Sequence, residues 1–184
     1  SVTHASRSIV AAKGLIGKLD LPKSLFPMTL VHEGLYKQST VFVLLLAVVT
    51  YAGYEAGWHW LWLLPVAAAN YLMIVAASLA AAVLVCLFYD FTMFVQLGMI
   101  FLLFVSGIFW DPRSLPDPAV TDIVLAVNPM AFLVDSYRQV LMYASAPDLT
   151  HLAVLGAVSA VAIGLMPTLM RRHSQFLALR ALTI

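Results

Sequence analysis

From residue 56 to residue 110 the chain carries a single charged residue, Asp90. Charged residues make up 10% of the whole chain and hydrophobic residues 62%, whereas a soluble domain usually has about 25% charged residues. Uncharged apolar runs of about 18 residues or more are typical of membrane-spanning helices. The sequence therefore predicts an all-α, polytopic transmembrane helical bundle.

Four membrane spans are predicted, at about residues 29–53, 61–87, 93–110 and 151–170. Most basic residues lie before the first span or after the last: Arg7, Lys13, Lys18, Lys23, Arg171, Arg172 and Arg180. Because cytosolic loops are enriched in Lys and Arg, both ends, including the C-terminus, are expected in the cytosol. The tryptophans at 58, 60 and 62 then form an aromatic belt at the opposite surface.

The segment between the last two spans, residues 111–143 (the hairpin), is neither a span nor an ordinary polar loop. Asp117-Pro118 and Asn128-Pro129 each place a capping side chain before a proline, which favours a helix start. The helices that follow would be about 15 and 21 Å long, too short to cross a bilayer core of about 30 Å. We expect two short re-entrant or interfacial helices outside the cytosol; the alternative is an amphipathic loop on the membrane surface.

Residues 7–19 have the spacing of a short basic amphipathic helix, with Ile9, Ala12 and Ile16 on one face. Such a helix can rest on anionic lipid headgroups or dock on a cytosolic partner, and the spacing does not decide between the two. Gly17-Lys18 is similar to the end of a phosphate-binding loop, but Leu19 stands where Ser or Thr is required. Nucleotide binding at this position is not expected.

Three polar residues are candidate intramembrane groups. Glu33 and Lys37 are four residues apart with the acid first, the favourable order for an ion pair on one helix face. They either snorkel towards the cytosolic interface or face a cavity or partner helix. Asp90 is expected to cap a helix at the membrane surface.

No arrangement typical of an enzyme is present in the sequence. Carboxylates, histidines and hydroxyls do not converge on a catalytic set, and the single cysteine, Cys86, excludes a cysteine-based metal site. His32 and His59 flank opposite ends of one span, so they cannot share a metal. The sequence predicts no catalytic residues, no metal and no nucleic-acid partner.

A series of short stretches runs through the chain in a recognisable order: Ser8-Ile9-Val10, Leu15 to Lys23, Phe26-Pro27, Phe88-Tyr89-Asp90, Val105 to Trp110, Asn128-Pro129-Met130 and Tyr137-Arg138. In these stretches and their order the chain resembles the permeases of ATP-binding-cassette exporters for O-antigen, capsular polysaccharide or teichoic acid. Together they cover nearly the whole chain. Tyr89 and Gly107 depart from the family pattern, which often has arginine and proline at these positions.

The resemblance implies a type-2 exporter permease with six membrane helices, of which this chain would supply the last four as one transmembrane domain, residues 1–184. The N-terminal part would then be missing. Residues 7–19 would be the helix that couples the permease to the ATPase, with candidate residues Arg7, Ser8, Ile9, Lys13, Gly14, Leu15, Gly17 and Lys18. The hairpin would be the gate over the channel exit, with candidate residues Phe109, Trp110, Asn128, Pro129, Phe132, Tyr137 and Arg138.

The resemblance also implies the partners and the location. They are a nucleotide-binding ATPase subunit, a second copy of the permease, lipid-linked glycan and membrane lipids, in the bacterial inner membrane. ATP and Mg would bind the partner subunit, and no cofactor is expected in this chain. Export of drugs or small lipids is the nearest alternative function, and a membrane scaffold or lipid-modifying enzyme is a more distant one.

Overall fold

The computed structural model describes residues 2–12, 24–54, 57–88 and 90–172. Within these ranges every regular element is helical, which confirms the predicted all-α fold. The α-helices are α1 (Val2–Ser6), α2 (Ser8–Ala11), α3 (Leu25–Tyr51), α4 (Leu63–Leu87), α5 (Phe91–Val105), α6 (Pro118–Val127), α7 (Pro129–Leu141) and α8 (Leu149–Arg172). Two short 3-10 helices lie at Trp58–Trp62 and Pro112–Ser114.

Three helical stretches are long and apolar enough to cross a membrane: Leu25–Tyr51, Trp58–Leu87 and Leu149–Met170. In addition, α6 and α7 form a pair bent by 111°. These helices make the chain a multi-pass membrane protein, and they overlap three of the four predicted spans.

The span predicted at residues 93–110 differs most from the observed helix. Helix α5 begins at Phe91 and ends at Val105 after 15 residues, a length of about 22 Å against a bilayer core of about 30 Å. It stops because Gly107 has a φ of 75°, a left-handed conformation that ends an α-helix and that glycine adopts without steric cost. The hydrophobic side chains of Ile108, Phe109 and Trp110 extend the apolar run but not the helix.

The chain divides into two compact units. One contains the described residues within Ser1–Thr40, Leu72–Leu97 and Val158–Ile184. Several of its most buried side chains come from the second half of α4 and include Leu79, Ala82, Val85 and Cys86, all without exposed surface. The small side chains of Ala82 and Cys86 let neighbouring backbones approach closely, which is how helices pack where no hydrophobic effect drives their association.

The other unit contains Val41–Tyr71 and Gly98–Ala157 and includes the hairpin. Its core forms around Leu63, Val140 and Leu141, which are buried together. Phe42, Leu46 and Val49 of α3 pack against this cluster, and their spacing of four and three residues places them on one helix face. Helix α7 therefore lies inside the unit, in contact with α3 and α4.

Helix α8 contains a stripe of small residues that includes Gly156 and Gly164, and the sequence predicts close contact of this stripe with another helix. In the structure a Cβ atom at either glycine would meet nothing within 4 Å. The described part of the chain thus packs no helix against these two glycines. Helix α8 makes its contacts through other side chains, such as His151.

Candidate functional site

The polypeptide leaves α5 through a compact turn, residues 106–110. Ser106 is buried and donates its hydroxyl to the Leu103 carbonyl (2.9 Å). The indole Nε1 of Trp110 reaches back to the Phe104 carbonyl (2.9 Å). Two of the carbonyls that a helix end leaves without partners are therefore satisfied locally.

Arg138 of α7 satisfies further carbonyls of this turn. Its Nη2 donates to the Gly107 carbonyl at 2.7 Å and lies 3.4 Å from the Ile108 carbonyl, and its Nη1 donates to the Trp110 carbonyl at 3.3 Å. The planar guanidinium suits this task because it offers several donors in a fixed fork. Arg138, a predicted gate residue, thus fastens the turn after α5 to the last turn of α7.

Asn128 makes a second connection between these elements. Its Oδ1 accepts from the backbone N–H groups of Met130 and Ala131 (3.0 and 3.2 Å), so it caps α7 as the sequence predicts. Its Nδ2 donates to the Val105 carbonyl (3.0 Å), the last residue of α5. Pro129 follows at the first helical position, where its missing N–H costs no hydrogen bond.

A bidentate ion pair ties the start of the hairpin to α7. Arg113 donates from Nε and Nη2 to the two carboxylate oxygens of Asp135, both at 2.8 Å. The Asp135 side chain is 1% exposed, and Gln139 adds a third donor at 2.6 Å. The hydrogen bonds from Arg113 to this carboxylate raise the pKa of the guanidinium, so it stays charged at any physiological pH.

The sequence reasoning missed this ion pair. Helical spacing puts Asp135 on one face of α7 with Arg138 and Gln139, a pattern typical of a face exposed to water, but Asp135 is buried beside the 3-10 helix at Pro112–Ser114. The available signal was that Arg113 is the only lysine or arginine between Lys37 and Arg138. Because 22 residues separate Arg113 from Asp135, no local spacing rule connects the two.

The four predicted aromatic residues of the site occupy different environments. Phe109 is 68% exposed, and its ring stacks on Phe104 with centroids 5.6 Å apart. Trp110 is half-buried. Tyr137 is also half-buried, packs edge-on against Phe42 of α3 (6.1 Å) and forms a hydrogen bond with Asn70 of α4.

Phe132 differs from the other three predicted gate aromatics because its ring offers little surface to a ligand. It is 3% exposed, and its ring stacks on His151 of α8 with centroids 4.0 Å apart and an interplanar angle of 16°. One ring face is thus covered by His151 and the remainder is buried in the unit. Phe132 joins α7 to α8, and Phe109 is the most accessible of the four rings.

The predicted intramembrane polar residues lie in the other unit. Lys37 donates to Glu33 with an Nζ–Oε1 distance of 2.6 Å, which confirms the predicted ion pair, and both side chains are exposed. Asp90 is exposed one residue before α5. Its backbone carbonyl accepts from Met93 N (3.1 Å).

Only part of the predicted coupling segment, residues 7–19, is described. Arg7 is an exposed turn residue between α1 and α2, and Ser8 is buried with its hydroxyl donating to the Ala5 carbonyl (2.6 Å). Ile9 lies in α2, which ends at Ala11. Lys13, Gly14, Leu15, Gly17 and Lys18 lie outside the described residues.

The contacts of the hairpin serve to position backbone. Asn128 and Arg138 hold carbonyls and a helix terminus, and Arg113 and Gln139 both hold the buried Asp135 carboxylate. Among the described residues, no group of three His, Cys, Asp or Glu side chains is placed to hold a metal ion.

Comparisons with known proteins agree with this architecture. The profile of the ABC-2 type transporter family matches residues 25–142, which include α3 to α7. Two curated proteins from Klebsiella pneumoniae, both named O-antigen export system permease protein RfbA, are 26% and 25% identical to this chain over 144 residues. The matches cover 77% of this chain and 54% of each relative, so the chain spans about half the length of the curated relatives it matches. Since the family profile covers more than half of the chain, the chain belongs to the ABC-2 type transporter family.

Proposed function

We propose that the chain forms the membrane channel of an ATP-driven exporter, as part of a permease subunit, and that the hairpin closes the extracytosolic exit of this channel. The observation that carries the proposal is the bent α6–α7 pair, which Asn128 and Arg138 fasten to the end of α5. Two sharply bent helices, each too short to cross a bilayer core alone, suit a gate at the end of a passage. Its polar groups are satisfied by protein, as membrane depth requires.

The topology follows from the same proposal. Helices α3, α4 and α8 cross the bacterial inner membrane, and α5 makes the fourth crossing together with the turn at residues 106–110. An even number of crossings returns the chain to its starting side, so both basic termini lie in the cytosol. The exposed apolar side chains of α5 are then available to lipid or to the channel.

The proposed substrate class is a lipid-linked polysaccharide of the O-antigen, capsule or teichoic acid type. The name of the two Klebsiella relatives supports this choice. The exposed rings beside the hairpin support it as well, since aromatic faces combine apolar area with tolerance for polar groups. Phe109 and Trp110 are the proposed contacts for sugar. Phe132 is buried and is not proposed as a contact.

The proposed partners are a nucleotide-binding ATPase subunit, which binds ATP and Mg, and a second copy of the permease. Residues 7–19 would contact the ATPase. Copurification of the full-length permease with its ATPase, followed by measurement of ATP hydrolysis with and without lipid-linked glycan, tests the whole scheme. Stimulation by drugs or small lipids but not by glycan would replace the substrate class, and no ATPase in the complex would refute the transport proposal.

Replacement of Gly14 and Gly17 by glutamate tests the coupling segment. If the proposed role is right, these variants insert normally into the membrane, and the ATPase subunit hydrolyses ATP without export. The reason is that bulky acidic side chains prevent the coupling segment from docking on the ATPase subunit. Normal export by the double variant would remove residues 7–19 from the mechanism.

Arg138 provides the test of the gate. Arg138→Ala removes every donor to the turn at residues 106–110, and Arg138→Lys keeps the charge but not the fork. We expect both variants to reach the membrane in normal amounts and to change surface glycan, the alanine variant more strongly. Unchanged glycan on cells carrying Arg138→Ala would contradict the gate assignment.

A further inference from the structure

The two helices of the hairpin are held in very different ways. Seven residues of α7 are buried, among them Phe132, Asp135 and Val140, whereas α6 has no buried residue. We propose that α7 is a fixed part of the protein and that α6 alone moves when the gate opens, turning about the residues before Pro129. This inference rests on the proposed gate function and assigns different roles to the two helices.

Helix α7 is fastened to its surroundings in several directions. Tyr137 contacts Phe42 of α3 and Asn70 of α4, and Phe132 stacks on His151 of α8. The end of α5 and the 3-10 helix are attached through Arg138 and Asp135, as described above. Displacement of α7 would break all of these contacts together.

Helix α6 lies against α7 and the 3-10 helix without burying any residue. Among the described residues, one side-chain hydrogen bond joins it to another element, from Thr121 Oγ1 to the Pro112 carbonyl (2.8 Å). Three apolar side chains point outward: Val120, Ile123 (61% exposed) and Val127 (76% exposed). Regions with few buried apolar contacts open at lower free energy than the core does, so α6 is the part of the hairpin that can move alone.

Asn128 determines where this motion can occur. Its N–H closes α6 on the Val124 carbonyl, and its side chain caps α7 and holds the Val105 carbonyl. Pro129 confines the preceding residue to extended conformations, and Asn128 has φ −103° and ψ 100°. The torsions free to change are therefore those of Val127 and the φ of Asn128, so α6 can swing while Asn128 keeps its bonds to α5 and α7.

Two crosslinks in the full-length transporter distinguish motion of α6 from motion of the whole hairpin. Cys86 is the single cysteine of the chain, so Cys86→Ala gives a cysteine-free background for this chain. In it, Pro112→Cys with Thr121→Cys places thiols between α6 and the 3-10 helix, and Phe132→Cys with His151→Cys places them between α7 and α8. A mild oxidant joins either pair as a disulfide that a reductant reopens, so no bulky reagent has to enter the buried sites of Pro112 and Phe132, and each variant before oxidation is its own control.

We expect the α6 crosslink to lower export about tenfold or more, with recovery on reduction, and the α7–α8 crosslink to leave export within about twofold of its control. Equal inhibition by both crosslinks, or none by the α6 crosslink, would overturn the proposal. If the Cys86→Ala variant does not export and the unaltered protein does, the cysteine pairs are introduced into the unaltered chain instead. Cys86 is buried there and so does not compete with the introduced cysteines.

Hydrogen exchange of the unaltered protein in lipid nanodiscs gives a measurement that needs neither substitution nor transport. Amides of α6 should exchange about tenfold or more faster than those of α7, since the two helices differ in burial. Equal protection of both helices would refute the inference. If the protein failed to export while this contrast persisted, the gate function would be wrong but the difference between the helices would stand.

Discussion

The Arg113–Asp135 pair should account for much of the stability of the hairpin, and a double-mutant cycle can measure its share. In Arg113→Ala the buried Asp135 carboxylate loses both donors at 2.8 Å and keeps only Gln139. Asp135→Ala removes the buried charge, and the double variant removes both partners. The coupling energy is the sum of the two losses in unfolding free energy of the single variants minus the loss of the double variant.

The structure sets the expected size of this coupling. Removal of one partner from a fully buried ion pair costs about 3–5 kcal/mol, and a hydrogen bond to a charged group contributes about 1.5–3 kcal/mol. Asp135 is 1% exposed but Arg113 is 48% exposed, so water can replace part of what is lost. We therefore expect Arg113→Ala to lower the free energy of unfolding by about 2–3 kcal/mol and the coupling to be about 2 kcal/mol. Arg113→Lys should recover less than half of the loss, because a lysine cannot make the bidentate contact.

Denaturant unfolding of the full-length protein in detergent micelles measures each free energy. The chain supplies a matched control in Glu33 and Lys37, an ion pair of similar distance whose side chains are both exposed. Exposed pairs of this kind couple weakly, so a cycle at these positions should give much the smaller value. A coupling for Arg113 and Asp135 below about 0.5 kcal/mol, or no larger than the control, would refute the reasoning from burial.

Substitutions at two further positions test how the hairpin is joined to α5. Gly107→Ala should destabilise the protein by about 1–3 kcal/mol, because φ is 75° and the new Cβ would lie 3.2 Å from the Pro112 ring; a thermal midpoint equal to that of the parent would contradict this. Asn128→Ser keeps an oxygen that can cap α7 but loses the donor to Val105, so it should cost less than Asn128→Ala, for which we expect about 1–3 kcal/mol. No loss in the thermal unfolding of Asn128→Ser would mean that the bond to α5 contributes nothing, and equal losses in both variants would mean that the cap contributes nothing.

The helix starts of the hairpin could be predicted from the sequence because they depend on adjacent residues. Asp117 and Asn128 accept hydrogen bonds from the N–H groups of Ala119 and Met130, as expected of a capping residue before proline. The Glu33–Lys37 pair was equally predictable, since helical geometry brings residues four apart together. In each case a few neighbouring residues contain the whole physical cause.

The end of α5 and the contacts of α7 could not be predicted in this way. Apolar residues continue to Trp110 and hide the helix end, which depends on the backbone conformation of Gly107. The amphipathic pattern of α7 separates its two faces, but it does not predict that Asp135 on the polar face forms an ion pair with Arg113. Such pairings depend on which distant segment of the chain packs against a helix, and hydrophobic periodicity carries no information on contacts between distant segments.

The polar residues of the hairpin nevertheless share one physical cause. Ending α5 at Val105 leaves backbone carbonyls without partners inside the helix, and in the proposed topology they lie at membrane depth, where each unsatisfied group costs several kcal/mol. Asn128 and Arg138 supply donors to four of these carbonyls, from residues 105 to 110. Both residues are fixed by α7, and α7 can supply them only while it stays in place. The hydrogen bonds that satisfy the end of α5 therefore also hold α7 in place. Helix α6 donates nothing to those carbonyls, so it is the helix of the pair that can move without leaving the α5 carbonyls unpaired.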